Sequence, residues 1–377
     1  MTTLTGRSLE VDFFRGIVLL IIAVDHISGS VLSNFTLHKY AFCDSAEVFV
    51  FLGGYASAAA YTAMAARRGS FAARLRFFKR SLEIYRAYLF TAALMLLAGA
   101  TLMLLRLDTP LVDFTEWPAF LDGPLPLIAG IATLRHQPYL SAVLPMYAFF
   151  ALSVPLVVPL AAKKPVLVLL GSLFIWLFAS QLGPLLPSAY DEGWSFNPFA
   201  WQLMFMSGVL ARTQPISAEF HASATARWLT RIAVGVVLGF AFAKLFIEIA
   251  PPPGYMKQNL ATLRIVSFGA VAWVFARAVH AGWIGALARG LPGVVTIGTQ
   301  GLVCFIAGTA VSIVLDTALR VLPTGHFAWL AGLAADALAI GSLLLLAHVW
   351  RDWKNVRRVP AVKGQPVPAH ATNRRER

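Results

Sequence analysis

Ten runs of mostly apolar residues follow one another along this chain, at about 15–35, 45–66, 87–106, 139–161, 165–186, 198–212, 229–249, 261–280, 293–316 and 327–350. Runs near 20 residues match the ~30 Å hydrocarbon layer of a bilayer at ~1.5 Å of helical rise per residue. Backbone groups in lipid must pair within the protein, which favours helices for such runs. Composition agrees, with 58% hydrophobic and 13% charged residues, about half the charge of ordinary soluble domains. The expected fold class is an all-α integral membrane protein of about ten transmembrane helices, not a pair of soluble domains.

The net charge of +13 is unevenly spread. With the N-terminus in the cytoplasm, 24 of the 31 basic residues fall on the inner side. They include Arg7, Arg15, seven residues from Arg67 to Arg86, and eight from Arg351 to Arg377. The positive-inside rule then places both termini in the cytoplasm. The basic excess is a topology signal, and no nucleic-acid partner is expected. Residues 1–352 read as the membrane domain, and 353–377 as a basic, disordered cytoplasmic tail. The first apolar run is too long for a signal-peptide core, so no cleavable leader is expected. Cys43 and Cys304 read as free thiols, and no metal site is expected.

Chemistry concentrates in the first run. His26 lies eleven positions after Arg15, which returns the histidine to nearly the same helix face about 16 Å deeper. Asp25 precedes it, and ionisable groups at mid-membrane depth are costly and usually functional. One reading makes His26 a general base assisted by Asp25, with Arg15 holding an anion at the cytoplasmic mouth. The other pairs Arg15 with Asp12 and makes His26 interhelical glue.

Other constellations surround it. Asp44 and Glu47 stand at the outer end of the second run, which continues into Gly53, Gly54 and Tyr55. Glycines there admit a ligand chain or a neighbouring helix. Arg67, Arg76, Arg80 and Arg86, with Phe71, Leu75, Phe78 and Leu82 at helical spacing, read as a basic amphipathic surface helix for anionic lipid or phosphates. The outer segment 107–138 is long enough to be functional, and its stretch Leu125–Leu134 is apolar enough to lie in the interface or re-enter. Asn197, Trp201 and Gln202 offer amides and an aromatic face that suit carbohydrate or an interfacial belt. Lys257 and Arg264 break the charge trend on the outer side; they neutralise an anionic group, cap a helix or pair with Glu248.

The Arg15-to-His26 spacing resembles the signature of the membrane-bound acyltransferase-3 superfamily. More closely, Asp12-Phe-Phe-Arg-Gly, Asp25-His26, Asp44-Ser-Ala-Glu-Val-Phe-Val-Phe-Leu-Gly-Gly-Tyr55, Leu144-Pro-Met-Tyr147 and Asn197-Pro-Phe-Ala-Trp-Gln202 look like the osmoregulated periplasmic glucan succinyltransferase family. The resemblance runs from about residue 7 to 350. It implies a multi-pass enzyme of the bacterial inner membrane that moves succinyl from cytoplasmic succinyl-CoA, a co-substrate, to glucose hydroxyls of a periplasmic β-glucan. His26 and Asp25 would then be catalytic, His26 either as general base or as carrier of the acyl group in a transient acyl-imidazole. Arg15, Arg67, Arg76, Arg80, Arg86, Gly53, Gly54 and Tyr55 would face the acyl-CoA. Asp44, Glu47, Asn197, Trp201, Gln202, Lys257 and Arg264 would face the glucan. Membrane lipid is an expected partner and an oligomer is compatible with such a chain. An O-acetyltransferase and a proton-coupled transporter or flippase are the competing readings. The lack of an internal repeat counts against the last.

Overall fold

A computed structural model describes residues 8–107, 109, 111–247, 256–322 and 325–356, and every regular element among them is a helix. The longer ones are α1 (Leu9–Asp25), α2 (Ser45–Leu104), α3 (Pro124–Ala132), α4 (Val143–Lys163), α5 (Pro165–Leu177) and α6 (Pro198–Thr213). They continue with α7 (Ala224–Phe246), α8 (Thr262–His280), α9 (Trp283–Gly290), α10 (Pro292–Thr299), α11 (Gly301–Val321) and α12 (Ala328–Val356). Among the described residues six helices, α2, α4, α7, α8, α11 and α12, are long and apolar enough to cross a membrane. A seventh is added if α5 and its continuation Ala179–Leu185, bent by 64°, count as one span.

That is fewer than the ten expected, for physical reasons. The first and sixth helices have only 17 and 16 residues, about 25 Å of rise. The ninth run breaks at Gln300 between α10 and α11. The second and third runs are joined in α2, interrupted only at Gly69, whose φ of 82° suits a residue without Cβ. The basic segment 67–86 is therefore no separate surface helix. From residue 70 it is the first part of a limb reaching Leu104, about 50 Å long and longer than a bilayer core. Phe71, Leu75, Phe78 and Leu82 are exposed along it as an apolar stripe.

The first run differs most from expectation. It was to continue to residue 35, but α1 ends at Asp25 with His26 as its C-cap. A single turn of 3-10 helix follows at Leu32–Phe35. Two buried acids on neighbouring helices cause the break. Asp316 of α11 accepts the Ser28 backbone N–H at 2.6 Å. Asp336 of α12 accepts those of Val31 and Leu32 at 3.0 and 2.9 Å and the Ser30 hydroxyl at 2.5 Å. These bonds replace the helical ladder beyond His26. Because α11 runs five residues past Asp316 and α12 starts eight before Asp336, the turn lies about 8–12 Å below their ends.

Two apolar clusters share the bundle, and α4 contributes to both, through Met146, Phe150, Val154 and Val158 on one side and Leu144, Ala148 and Ala151 on the other. Outside them, the faces of α5 and α7 expose Leu167, Leu170, Phe174, Ile232, Leu238 and Phe242, a surface suited to lipid. α3 packs inward through Leu127 and Ile131, and the Tyr85 and Tyr88 hydroxyls of α2 donate to the Ala132 and Ile131 carbonyls. One face of the stretch Leu125–Leu134 thus packs on the bundle, while Leu125 and Ile128 stay exposed. The last helix carries residues 353–356 of the expected tail, and the rest of that tail lies outside the described residues.

Glycines set the closest helix crossings. A Cβ at Gly54 would overlap the Phe205 carbonyl oxygen, and one at Gly208 the Phe51 carbonyl. α1 meets α10 the same way, through Gly16 on Val294 and Gly298 on Asp12. Gly54→Ala should therefore force α2 from α6 and destabilise the protein by about 1–3 kcal/mol. Thermal unfolding of the detergent-solubilised protein reads this. Gly235→Ala, with nothing near its side-chain position, should leave the transition in place; equal behaviour of the two variants would refute backbone contact as the role of Gly54.

Candidate active site

His26 is half-buried at the end of α1. Its Nδ1 lies 2.6 Å from the Ile22 carbonyl oxygen. A carbonyl can only accept, so Nδ1 carries the proton and Nε2 of the neutral ring presents a lone pair. Among the described residues Nε2 makes no hydrogen bond. The ring meets the edge of Tyr139 at 5.9 Å, and Tyr139 in turn packs on Phe114 at 5.2 Å. The charges of Lys257, Asp25 and Asp44 all act on this imidazole.

Asp25 turns elsewhere. Its carboxylate accepts from the Thr36 hydroxyl at 2.8 Å and pairs with His38 Nδ1 at 3.4 Å. It reaches His26 through its charge, not through a contact, while tying the segment after the broken helix back to α1.

On the other flank Asp44 caps α2 by accepting from Ala46, and Glu47 accepts from the Asp44 N–H, a capping box. Arg264 reaches in from α8, with Nε 2.5 Å from Glu47 and Nη2 2.9 Å from Asp44. Lys257 also pairs with Asp44 at 2.9 Å and covers the Phe196 ring. Arg264 and Glu47 are 2% and 0% exposed, so this pair crosslinks α2 and α8 and offers no surface to a sugar. Lys257 keeps an exposed side chain. The alternative partner Glu248 lies outside the described residues.

The amide and aromatic positions are also used internally. Asn197 caps α6 and donates to the Ala179 carbonyl and to Asn259. Trp201 is buried, and its indole donates to the Lys257 and Gln258 carbonyls. Gln202 exchanges hydrogen bonds with Ser172 on α5. What opens at this end is a polar cavity of about 310 Å³ lined in part by Ser188, Tyr190, Asp191, Glu192, Asn197 and Gln258. Tyr190 donates to Glu116 at 2.6 Å, and burial together with that carboxylate raises its phenol above the ordinary range.

At the opposite end Arg15 lies 3.7 Å from Asp12 and its guanidinium reaches Gly301, where α11 begins. Arg76 and Arg80 both pair with Glu83, while Arg67 and Arg86 are exposed. Tyr55 takes the Arg212 guanidinium over its ring at 5.7 Å. Gly54 is spent on the contact with α6, whereas Gly53 faces the Tyr147 ring. The structure thus gathers His26, Asp25, Asp44 and Lys257 near one end. Arg15 and the arginine limb stand toward the other.

Sequence reasoning missed Thr36 and His38, which the chain reversal brings to Asp25, and Tyr139, whose ring meets His26. It also missed Asp316 and Asp336, although a lone acid within an apolar run was a usable signal. Both cysteines are free and buried.

If Arg264 holds the fold, Arg264→Leu should cost about 3–5 kcal/mol by leaving Glu47 buried and unpaired, read as a large fall in unfolding temperature. Lys257→Met, removing a half-exposed pair, should cost at most about 1 kcal/mol. A stable Arg264→Leu protein would contradict this division of roles.

A family model described as OpgC protein matches residues 7–355, nearly the whole chain, in agreement with the osmoregulated periplasmic glucan succinyltransferase motifs. No curated protein and no solved structure matches it.

Proposed function

The chain belongs to the OpgC protein family, and on that premise we propose that it is a membrane-bound glucan-modifying acyltransferase. The donor in this reading is succinyl-CoA in the cytoplasm and the acceptor a glucose hydroxyl of a periplasmic β-glucan. The observation that carries it is His26, an imidazole whose Nδ1 is tied to Ile22 and whose Nε2 is left with a lone pair at a recessed helix end.

The helical stretches 9–25, 45–68, 70–104, 143–163, 165–185, 198–213, 224–246, 262–280, 292–321 and 328–356 serve as ten crossings of the bacterial inner membrane. Both termini lie on the basic, cytoplasmic side. Arg15 and the exposed arginines of the limb from residue 70, with Arg67 just before it, hold the CoA phosphates, for which a guanidinium fork is suited. Arg76 and Arg80 join them by exchanging Glu83 for phosphate. The slender acyl-pantetheine arm runs along α1 toward His26. The glucan approaches from the other end, past Lys257 and the cavity lined by Tyr190, Asp191 and Glu192.

Chemistry then needs one proton carrier. Nε2 of His26 takes the proton from the sugar hydroxyl as its oxygen attacks the thioester carbonyl. The tetrahedral intermediate collapses with cleavage of the C–S bond, and the imidazolium returns the proton to the departing thiolate. Asp25 and Asp44 supply negative charge that favours the transient imidazolium. The product is an ester whose free carboxylate adds charge to a neutral polymer, and CoA is released as its thiol.

Mass spectrometry of periplasmic glucans tests this in a deletion strain carrying wild type or His26→Ala at matched membrane abundance. Wild type should add succinyl masses, and the variant should lower them at least ~100-fold, the usual share of a general base. Acetyl masses would keep the mechanism and change the donor. Full modification by the variant would remove His26 from the chemistry. Unmodified glucans from wild type would sink the substrate reading.

A further inference from the structure

The hydroxyl of Tyr147 is buried and has no hydrogen-bond partner among the described residues. Buried phenols nearly always find one, and this one is held rigidly where none exists. Its ring meets Phe49 edge-on at 5.2 Å and Phe150 at 6.2 Å. Phe49 in turn stacks on Phe305 of α11 at 6.1 Å. A glycine lets the phenol lie directly against α2: a Cβ at Gly53 would come within 2.8 Å of the ring edge and 3.1 Å of the hydroxyl.

The location matters as much as the missing partner. Tyr147 packs in the cluster that contains Leu19, Leu20, Ile22 and Ala23, the stretch of α1 between Arg15 and His26. The positive charge of Arg15 acts on the phenol. Tyr147 is thus a hydrogen-bond donor along the path joining the basic end to His26, in surroundings otherwise apolar.

We propose that the Tyr147 hydroxyl binds a carbonyl oxygen of the acyl-pantetheine arm as it passes along α1, with Gly53 letting the phenol sit where it does against α2. The chemistry selects this class of ligand. A phenol O–H in an apolar shell needs an acceptor that brings no charge, because an ion there would lack solvation. It also favours a slender one, since Phe49 and Phe150 pack against the ring. Amide and thioester carbonyls on a thin chain satisfy both conditions. The inference rests on the acyl-CoA reading above and adds to it the residue that fixes the depth of the arm.

Tyr147→Phe removes one oxygen and keeps the ring. In purified full-length protein it should lower kcat/KM for succinyl-CoA about tenfold, the worth of one hydrogen bond. The unfolding temperature without donor should not fall, since the lost hydroxyl bonded to nothing among the described residues. Gly53→Ala, which places a methyl against the phenol, should lower kcat/KM as well. An unchanged kcat/KM for Tyr147→Phe would overturn the proposal, and so would a loss of activity that tracks a lower unfolding temperature.

Binding of a succinyl-CoA analogue with CH2 in place of the thioester sulfur, followed calorimetrically, separates this inference from the glucan reading. If wild type binds it but modifies no glucan, the acceptor is wrong, and weaker binding by Tyr147→Phe upholds the inference. If wild type does not bind it, the Tyr147 inference falls with the donor.

Discussion

An unpaired peptide N–H in an apolar interior is too costly to leave, and the end of α1 shows what that requirement builds. Beyond His26 the helical ladder stops, yet Ser28, Val31 and Leu32 are held by the Asp316 and Asp336 carboxylates. Charge-assisted hydrogen bonds of this kind are about twice as strong as neutral ones. Asp316 is also paired with Arg320 at 2.7 Å. The clamp ends the first helix early, sets His26 below the rims of α11 and α12, and reverses the chain so that Thr36 and His38 return to Asp25.

Everything around the histidine follows from where that break lies. The α2 cap brings Asp44 and Lys257 toward it, and the buried Glu47–Arg264 pair locks α2 to α8. Close glycine crossings bind α1 to α10 and α2 to α6 without intervening side chains. In the proposed mechanism this frame holds one histidine between two substrate approaches. The donor's would come from the arginine-bearing end past Gly53 and Tyr147, and the acceptor's from the end where polar loops open.

Much of this was legible in the residues. The apolar runs gave an all-helical chain, and five ordered motifs gave the family. Less legible was the length of each helix, because hydropathy does not register where a backbone stops hydrogen-bonding to itself. The run through Val31–Leu32 is apolar enough to be helix, and only acids almost 300 residues away end it. The arginine stretch resembles a surface helix in sequence because a single glycine, Gly69, does not by itself mark the bend between two limbs. Polar groups that serve the fold were the hardest to tell from groups that bind a ligand. Asn197, Trp201, Gln202, Glu47 and Arg264 are of the types that bind sugars, but the structure spends them on caps, carbonyls and one buried ion pair.

Sidedness is the property that this arrangement was built from, and it can be measured in proteoliposomes of the purified protein with known orientation. Succinyl-CoA would be sealed on the face carrying Arg15 and the 67–86 arginines, with β-glucan on the opposite face, or both placed together on either side. Acylated glucan should form when donor and acceptor are separated in that orientation, and not when both are confined to one face. Transfer that requires both substrates on the same face would contradict a histidine reached from two sides.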